Sequence, residues 1–173
     1  MTKKISATAA VLSVVVLVLV MQLRDRVGDS KHFEVPIPVQ SVRTSPDCGP
    51  SCMYAACRML LGDYVAMSDV SEHLDVKGPG VSMSELVRAA RELGLNADAV
   101  NCDASHLAAR VRKPNCCAIL YLRTGHFVLA ASEERGTLRL LDPASGVRTI
   151  KVEEMQASLG WLGDTLFLVL DRA

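Results

Sequence analysis

Hydrophobic and polar positions divide this chain into stretches of different texture. From Ile5 to Leu23 nineteen residues pass without a charge, rich in Val and Leu, between Lys3-Lys4 and Arg24-Asp25-Arg26. Val27 to Ser45 then mixes charges with Pro36 and Pro38, the texture of a tether and an extended entry. Helical spacing follows. An apolar segment from Gly49 to Leu61 stops at Gly62, and Asp69 to Leu74 carries Val70 and Leu74 four apart. Ser82 and Glu85 form a capping box ahead of the stripe Met83, Leu86, Val87, Ala90 and Leu93, which Gly94 ends. Asp103 is placed to cap a short helix around Leu107 to Val111. The rest reads as strands over 116–122, 126–132, 137–141, 147–152 and 165–170, with a further strand before Cys102 and a short helix near Val152 to Leu159. Helices first and an antiparallel meander afterwards predict an α+β fold, with the N-terminal helices packed on the sheet.

A helix over 5–23 would be about 28 Å long, close to the hydrocarbon thickness of a bilayer. The run is therefore a membrane span or a signal peptide. It ends VLVLVMQLRDR, with bulky side chains where a signal peptidase prefers small ones, and this favours an uncleaved signal anchor. Lys3 and Lys4 before the span are nearly balanced by Arg24, Arg26 and Lys31 after it. A short basic start before an apolar run nevertheless resembles a secretory entry signal. The expectation is a single pass through the cell membrane, with the following domain extracytoplasmic.

Charge and cysteine content narrow the function. Beyond Leu23, 17 Lys and Arg face 19 Asp and Glu, and no basic face or aromatic series invites nucleic acid. Cys116 and Cys117 are adjacent in an apolar strand, and the spacing of the six cysteines resembles no secreted disulfide framework. No paired C-x-x-C exists and the histidines lack close ligand partners, so neither a metal site nor a cofactor is expected. No G-x-x-x-x-G-K-[ST] loop occurs either, so any transport would need a separate export system.

The segment Asp47-Cys48-Gly49-Pro50 places a thiol where a turn feeds an apolar helix. Unpaired N–H groups and the positive end of the helix dipole favour thiolate there. Cys48, Cys52 and Cys57 could equally be small hydrophobes in a core helix. A base decides between the two readings. Among the four histidines, His126 follows the apolar run 116–122 and the turn Arg123-Thr124-Gly125, and it opens the strand HFVLAA. The next strand ends at Asp142, before Pro143-Ala144-Ser145-Gly146. A hairpin centred on Glu134 would set His126 directly opposite Asp142, side chains on one face; a slip of one residue would separate them. Cys48 as nucleophile, His126 as base and then acid, and Asp142 as the group orienting the imidazole would make a triad.

These segments, DCGPSC, GVSMSELVRAARELGL, GHFVLA and LLDPASG, resemble in order and spacing a C39-type cysteine peptidase domain, the papain-like unit of exporters that cleave double-glycine leader peptides. The resemblance covers about Val35 to Leu170. It implies a papain-like cysteine peptidase fold over 35–173, after a flank at 1–4, an anchor at 5–23 and a tether at 24–34, and it assigns catalysis to Cys48, His126 and Asp142. It also implies hydrolysis of a peptide bond, plausibly after a Gly-Gly-type junction, with a leader peptide as substrate. One departure stands out. The family usually supplies an oxyanion-hole glutamine about six residues before the cysteine, where a donor is worth about 3 to 4 kcal/mol. Val42 holds that place here. Gln40 can serve only if a bulge in VQSVRTSPD shifts it; otherwise it is a surface residue. A non-catalytic peptide-binding domain, or an amidase or acyltransferase using the same Cys-His-Asp chemistry, remain the alternatives.

Overall fold

The computed structural model describes residues 48–74, 80–122, 124–155 and 165–172. The expected flank, anchor and tether, together with Gln40, lie outside the described residues. No helix among the described residues is long and apolar enough to cross a membrane.

The described residues begin with helices α1 (Cys48–Leu61), α2 (Met67–His73) and α3 (Met83–Glu92). In α1, Pro50 sits in the first turn, where its missing N–H would have no helical partner in any case. The helix ends at Gly62, with φ of 107° and its N–H on the Arg58 carbonyl at 3.2 Å. α3 starts at the expected capping box: the Ser82 hydroxyl accepts from the Glu85 N–H at 3.3 Å, and Glu85 accepts from the Ser82 N–H at 2.7 Å. Strand β1 (Leu95–Cys102) and helix α4 (Ala104–Val111) follow, the latter capped by Asp103 through the His106 N–H at 2.8 Å.

Strands β2 (Cys116–Leu122), β3 (His126–Glu134), β4 (Thr137–Asp142), β5 (Gly146–Lys151) and β6 (Thr165–Arg172) complete a six-stranded antiparallel sheet of order β1-β6-β2-β3-β4-β5. The meander expected from the sequence therefore stops at β5. β6 inserts between β1 and β2, pairing Leu95 with Arg172 and Cys117 with Leu170. Its apolar residues Leu168, Val169 and Leu170 are buried, as suits a strand covered on both faces. One face, through Cys117, Ile119, Phe127, Leu129 and Leu141, packs on α1 to α3. The other, through Ala118, Leu120, Val128, Ala130 and Leu140, packs on Leu107 and Val111 of α4. The adjacent Cys116 and Cys117 fall in opposite layers, as strand alternation requires. The expected helix near Val152 to Leu159 begins as a 3-10 turn over Val152–Glu154, and residues 156–159 lie outside the described residues.

The β3–β4 hairpin corrects the expected register. Its turn is the two-residue Arg135-Gly136, with φ of 50° and 80°, the left-handed pair whose twist suits a tight hairpin. Glu134 thus pairs with Thr137 and is not the centre of the turn. Between Ala130 and Ser132 the pairing slips, leaving Ala131 extra, and from there Leu129 faces Leu141. Continuing this register sets Asp142 beside Val128, so His126 is its diagonal neighbour and not its direct partner. The bulge matters. Without it the offset would be odd, and His126 and Asp142 would lie on opposite faces.

Glu133 completes the hairpin: its buried carboxylate accepts from the Gly136 N–H at 2.6 Å and holds Arg112, just beyond α4, at 2.5 Å. Replacing Gly136 with Ala forces a side chain into the left-handed region and should cost about 1 kcal/mol. Arg135→Asn, better suited to its φ of 50°, should gain a few tenths of a kcal/mol. Urea denaturation of both variants checks the turn.

Candidate active site

The first residue of α1, the first residue of β3 and the last residue of β4 converge at one end of the sheet. Cys48 starts the helix, so its own N–H and those of the first turn are not consumed by helical hydrogen bonds. The helix approaches β3 closely because position 49 is glycine. A Cβ there would lie 2.3 Å from Val81 Cγ2 and 3.3 Å from Phe127 Cδ2. This contact brings the thiol against the strand, where Cys48 Sγ accepts the Phe127 backbone N–H at 3.4 Å. The Phe127 ring also stacks obliquely on Tyr121, centroids 4.9 Å apart.

His126 opens β3 and shares a hydrogen bond with the Cys48 thiol. Its Nε2 meets Asp142 Oδ1 at 2.7 Å, so the ring nitrogen left for the thiol is Nδ1. Asp142 is held by its own turn: Oδ1 accepts the Ala144 N–H at 2.8 Å and Oδ2 the Ser145 hydroxyl at 2.7 Å. Arg148 Nη2, from β5, stands 3.6 Å from Oδ2. The structure thus brings together Cys48, His126 and Asp142, whereas Gln40 lies outside the described residues. Ser145, legible in the sequence only as part of a turn, and Arg148, which no sequence motif marks, both reach Asp142. The Asp-Pro-x-Ser spacing is a turn signature that points to the first; the alternation Gly146, Arg148, Ile150 along β5 could have found the second.

The electrostatics favour an ion pair. Burial pushes the Cys48 thiol up, but the His126 hydrogen bond, the Phe127 N–H, the imidazolium charge and the Gly49 N–H outweigh it and hold the thiol below its usual value. His126 is raised to about 9, first by the hydrogen bond to Cys48 and then, against burial, by Asp142. Asp142 itself stays below the usual carboxylate range: burial would raise it, but the bonds from His126, Ser145 and Ala144 prevail. Cys52, one turn beyond Cys48, is buried and pushed well up, so it stays a neutral thiol. A thiolate beside an imidazolium, with an anion behind the ring, can attack a carbonyl and deliver a proton to a leaving group.

The sign of the pH dependence follows. Thiolate forms below the ordinary thiol pKa, and the imidazolium persists until pH rises through about 9. Alkylation of Cys48 by iodoacetamide should therefore be fast at pH 7. His126→Ala leaves burial unopposed by the imidazolium, so the thiol pKa should rise and the rate at pH 7 should fall at least about tenfold. Rates measured across pH 5 to 10 in both proteins test this; an unchanged profile in His126→Ala would break the pair.

Known proteins share the sequence pattern and the fold of this chain. The model of the Peptidase C39 family matches residues 37–169. The chain is 29% identical over 119 residues to the colicin V secretion/processing ATP-binding protein CvaB of Escherichia coli, a match covering 69% of this chain and only 16% of that protein. Among solved structures, a double glycine motif protease from an AMS/PCAT transporter, crystallised with its leader peptide, has 22% identity and a TM-score of 0.57 over 73% of this chain and 84% of its own. The peptidase domain of Streptococcus ComA has 18% identity and a TM-score of 0.58 over 75% and 97%. The N-terminal peptidase C39-like domain of a toxin secretion ATP-binding protein from Vibrio parahaemolyticus has 15% identity and a TM-score of 0.54 over 75% and 99%. These structural likenesses concern the fold, and the family model covers most of the chain: the protein belongs to the Peptidase C39 family of cysteine-type peptidases.

Proposed function

We propose that this protein is a membrane-anchored cysteine peptidase that hydrolyses a peptide bond after a small-residue pair of the Gly-Gly type, at the end of a leader peptide. The observation that carries the reading is the continuous hydrogen-bonded chain from Cys48 through His126 to Asp142. The Cys48 thiolate attacks the scissile carbonyl carbon. As the C–N bond breaks, His126 gives its proton to the departing amine, and the acyl group remains as a thioester on Cys48. His126, now neutral, takes a proton from water as that water attacks the thioester; the acid product leaves and the thiolate–imidazolium pair is restored. Asp142 holds the ring throughout. The oxyanion rests on the Cys48 N–H, with Gln40 as a second donor if a bulge in the segment before Asp47 brings its amide into place. The Gly-Gly preference is supported by one structural neighbour whose name describes a double glycine motif protease in complex with a leader peptide. Anchoring rests on the apolar run 5–23, which would hold residues 35–173 against the outer face of the cell membrane, near a separate export system that delivers the substrate.

Full-length chain in detergent should cut peptides carrying a Gly-Gly junction, with products identified by mass. Cys48→Ala should abolish cleavage, and Gln40→Ala should lower kcat about 10²-fold if the amide serves the oxyanion. Cleavage unchanged in Gln40→Ala removes that role alone, whereas no cleavage by a folded protein with reduced Cys48 favours a peptide-binding domain without catalysis.

Anchoring has its own test. After carbonate extraction the protein should remain with the membrane and retain Met1 to Leu23. A mature chain starting near Arg24 would make the segment a cleaved signal peptide.

A further inference from the structure

Arg148 lies outside the three residues that carry the proposed chemistry, yet it is placed against one of them. It sits on β5 opposite Leu140, two positions along from the Asp142–Gly146 pair and so on the same sheet face as Asp142. Its Nη2 is 3.6 Å from Asp142 Oδ2, the oxygen turned away from His126. Its Nε is buried and finds no hydrogen-bond partner among the described residues. A buried donor without a partner is a cost. Asp142 does not need Arg148 for its orientation, because Ala144 and Ser145 already fix both oxygens within the same turn. The guanidinium therefore contributes charge more than geometry.

We propose that Arg148 is a positioning residue that tempers the hold of Asp142 on the His126 imidazolium, so that His126 can surrender its proton to the leaving amine. The inference rests on the peptidase reading above. Its logic is a balance of charges. The thiolate of Cys48 on α1 and the carboxylate of Asp142 on β4 both stabilise the imidazolium, and together they could make it too weak an acid to protonate a departing amine. Arg148 on β5 is the cation facing this pair from the far side of Asp142, while Cys52, the remaining titratable neighbour from α1, stays neutral. A positive charge behind the carboxylate draws its field away from the ring and opposes the positive ring directly. His126 is raised to about 9 by its bonds to Cys48 and Asp142, and loss of the Arg148 charge is expected to raise it further.

The experiment is an NMR titration of ¹⁵N-histidine-labelled full-length chain in detergent, alongside kcat/KM against pH for a Gly-Gly peptide. In Arg148→Met the His126 midpoint should rise by about half a unit, the alkaline limb of kcat/KM should move with it, and kcat should fall more than KM changes. Arg148→Lys should restore the midpoint, since it returns the charge without the planar fork. Thermal melting and the Cys48 alkylation rate show that each variant keeps its fold and its thiolate. A midpoint that stays or falls in folded Arg148→Met, or that Lys fails to restore, overturns the inference. The titration needs no substrate, so it is readable even where the wild-type protein cuts no peptide, an outcome that would count against the peptidase reading alone.

Discussion

The contact on which this molecule turns is the proton shared between Cys48 and His126. It joins the first residue of a helix to the first residue of a strand, 78 positions apart in the chain, and each residue shifts the other toward its charged form. Burial alone would leave Cys48 a neutral thiol, and solvent alone would leave His126 near its ordinary value. Their meeting depends on the absence of a side chain at Gly49, which lets the helix start lie on Phe127, and on the buried layer of Met53, Ala56, Leu86 and Ile119 that presses α1 onto the sheet. Packing thus sets the electrostatics: the helix cannot retreat without exposing core residues, so the thiol is held within reach of the ring.

The same economy appears at Asp142. Its carboxylate is satisfied within four residues by Ala144 and Ser145, so the turn that ends β4 arrives already organised. The His126 ring then has a fixed acceptor. Two levels of order, a local turn and a long-range strand register, agree on one orientation of one imidazole.

Much of this was legible in the chain because the signals were local. The capping box at Ser82, the cap at Asp103, the strand opening at His126 and the cysteine at a helix start are each set by a few neighbouring residues, and each appears where the pattern put it. The register was not local in this sense. A turn centred on Glu134 and one at Arg135-Gly136 differ by little in composition, and nothing in HFVLAASEERG marks Ala131 as the extra residue. Two errors of the same parity left His126 and Asp142 on one face, so the pairing was inferred correctly in kind by a register that was wrong in detail. The place of β6 was hidden for a different reason: an apolar run such as TLFLVL shows that a strand is buried, but not which strands bury it.

That placement of β6 governs when the molecule can come into being. β1 and β2 do not touch along their edges; each hydrogen-bonds to β6, whose residues follow β2 by more than 40 positions. Until Thr165 to Arg172 pair, β1 and the β2–β5 meander share no hydrogen-bonded edge. Closing that gap requires one long-range pairing event, of the kind that loop entropy makes slow. A chain lacking β6 would carry Cys48, His126 and Asp142 in full, but Leu168 and Leu170 would be missing from the buried layer on which α1 packs.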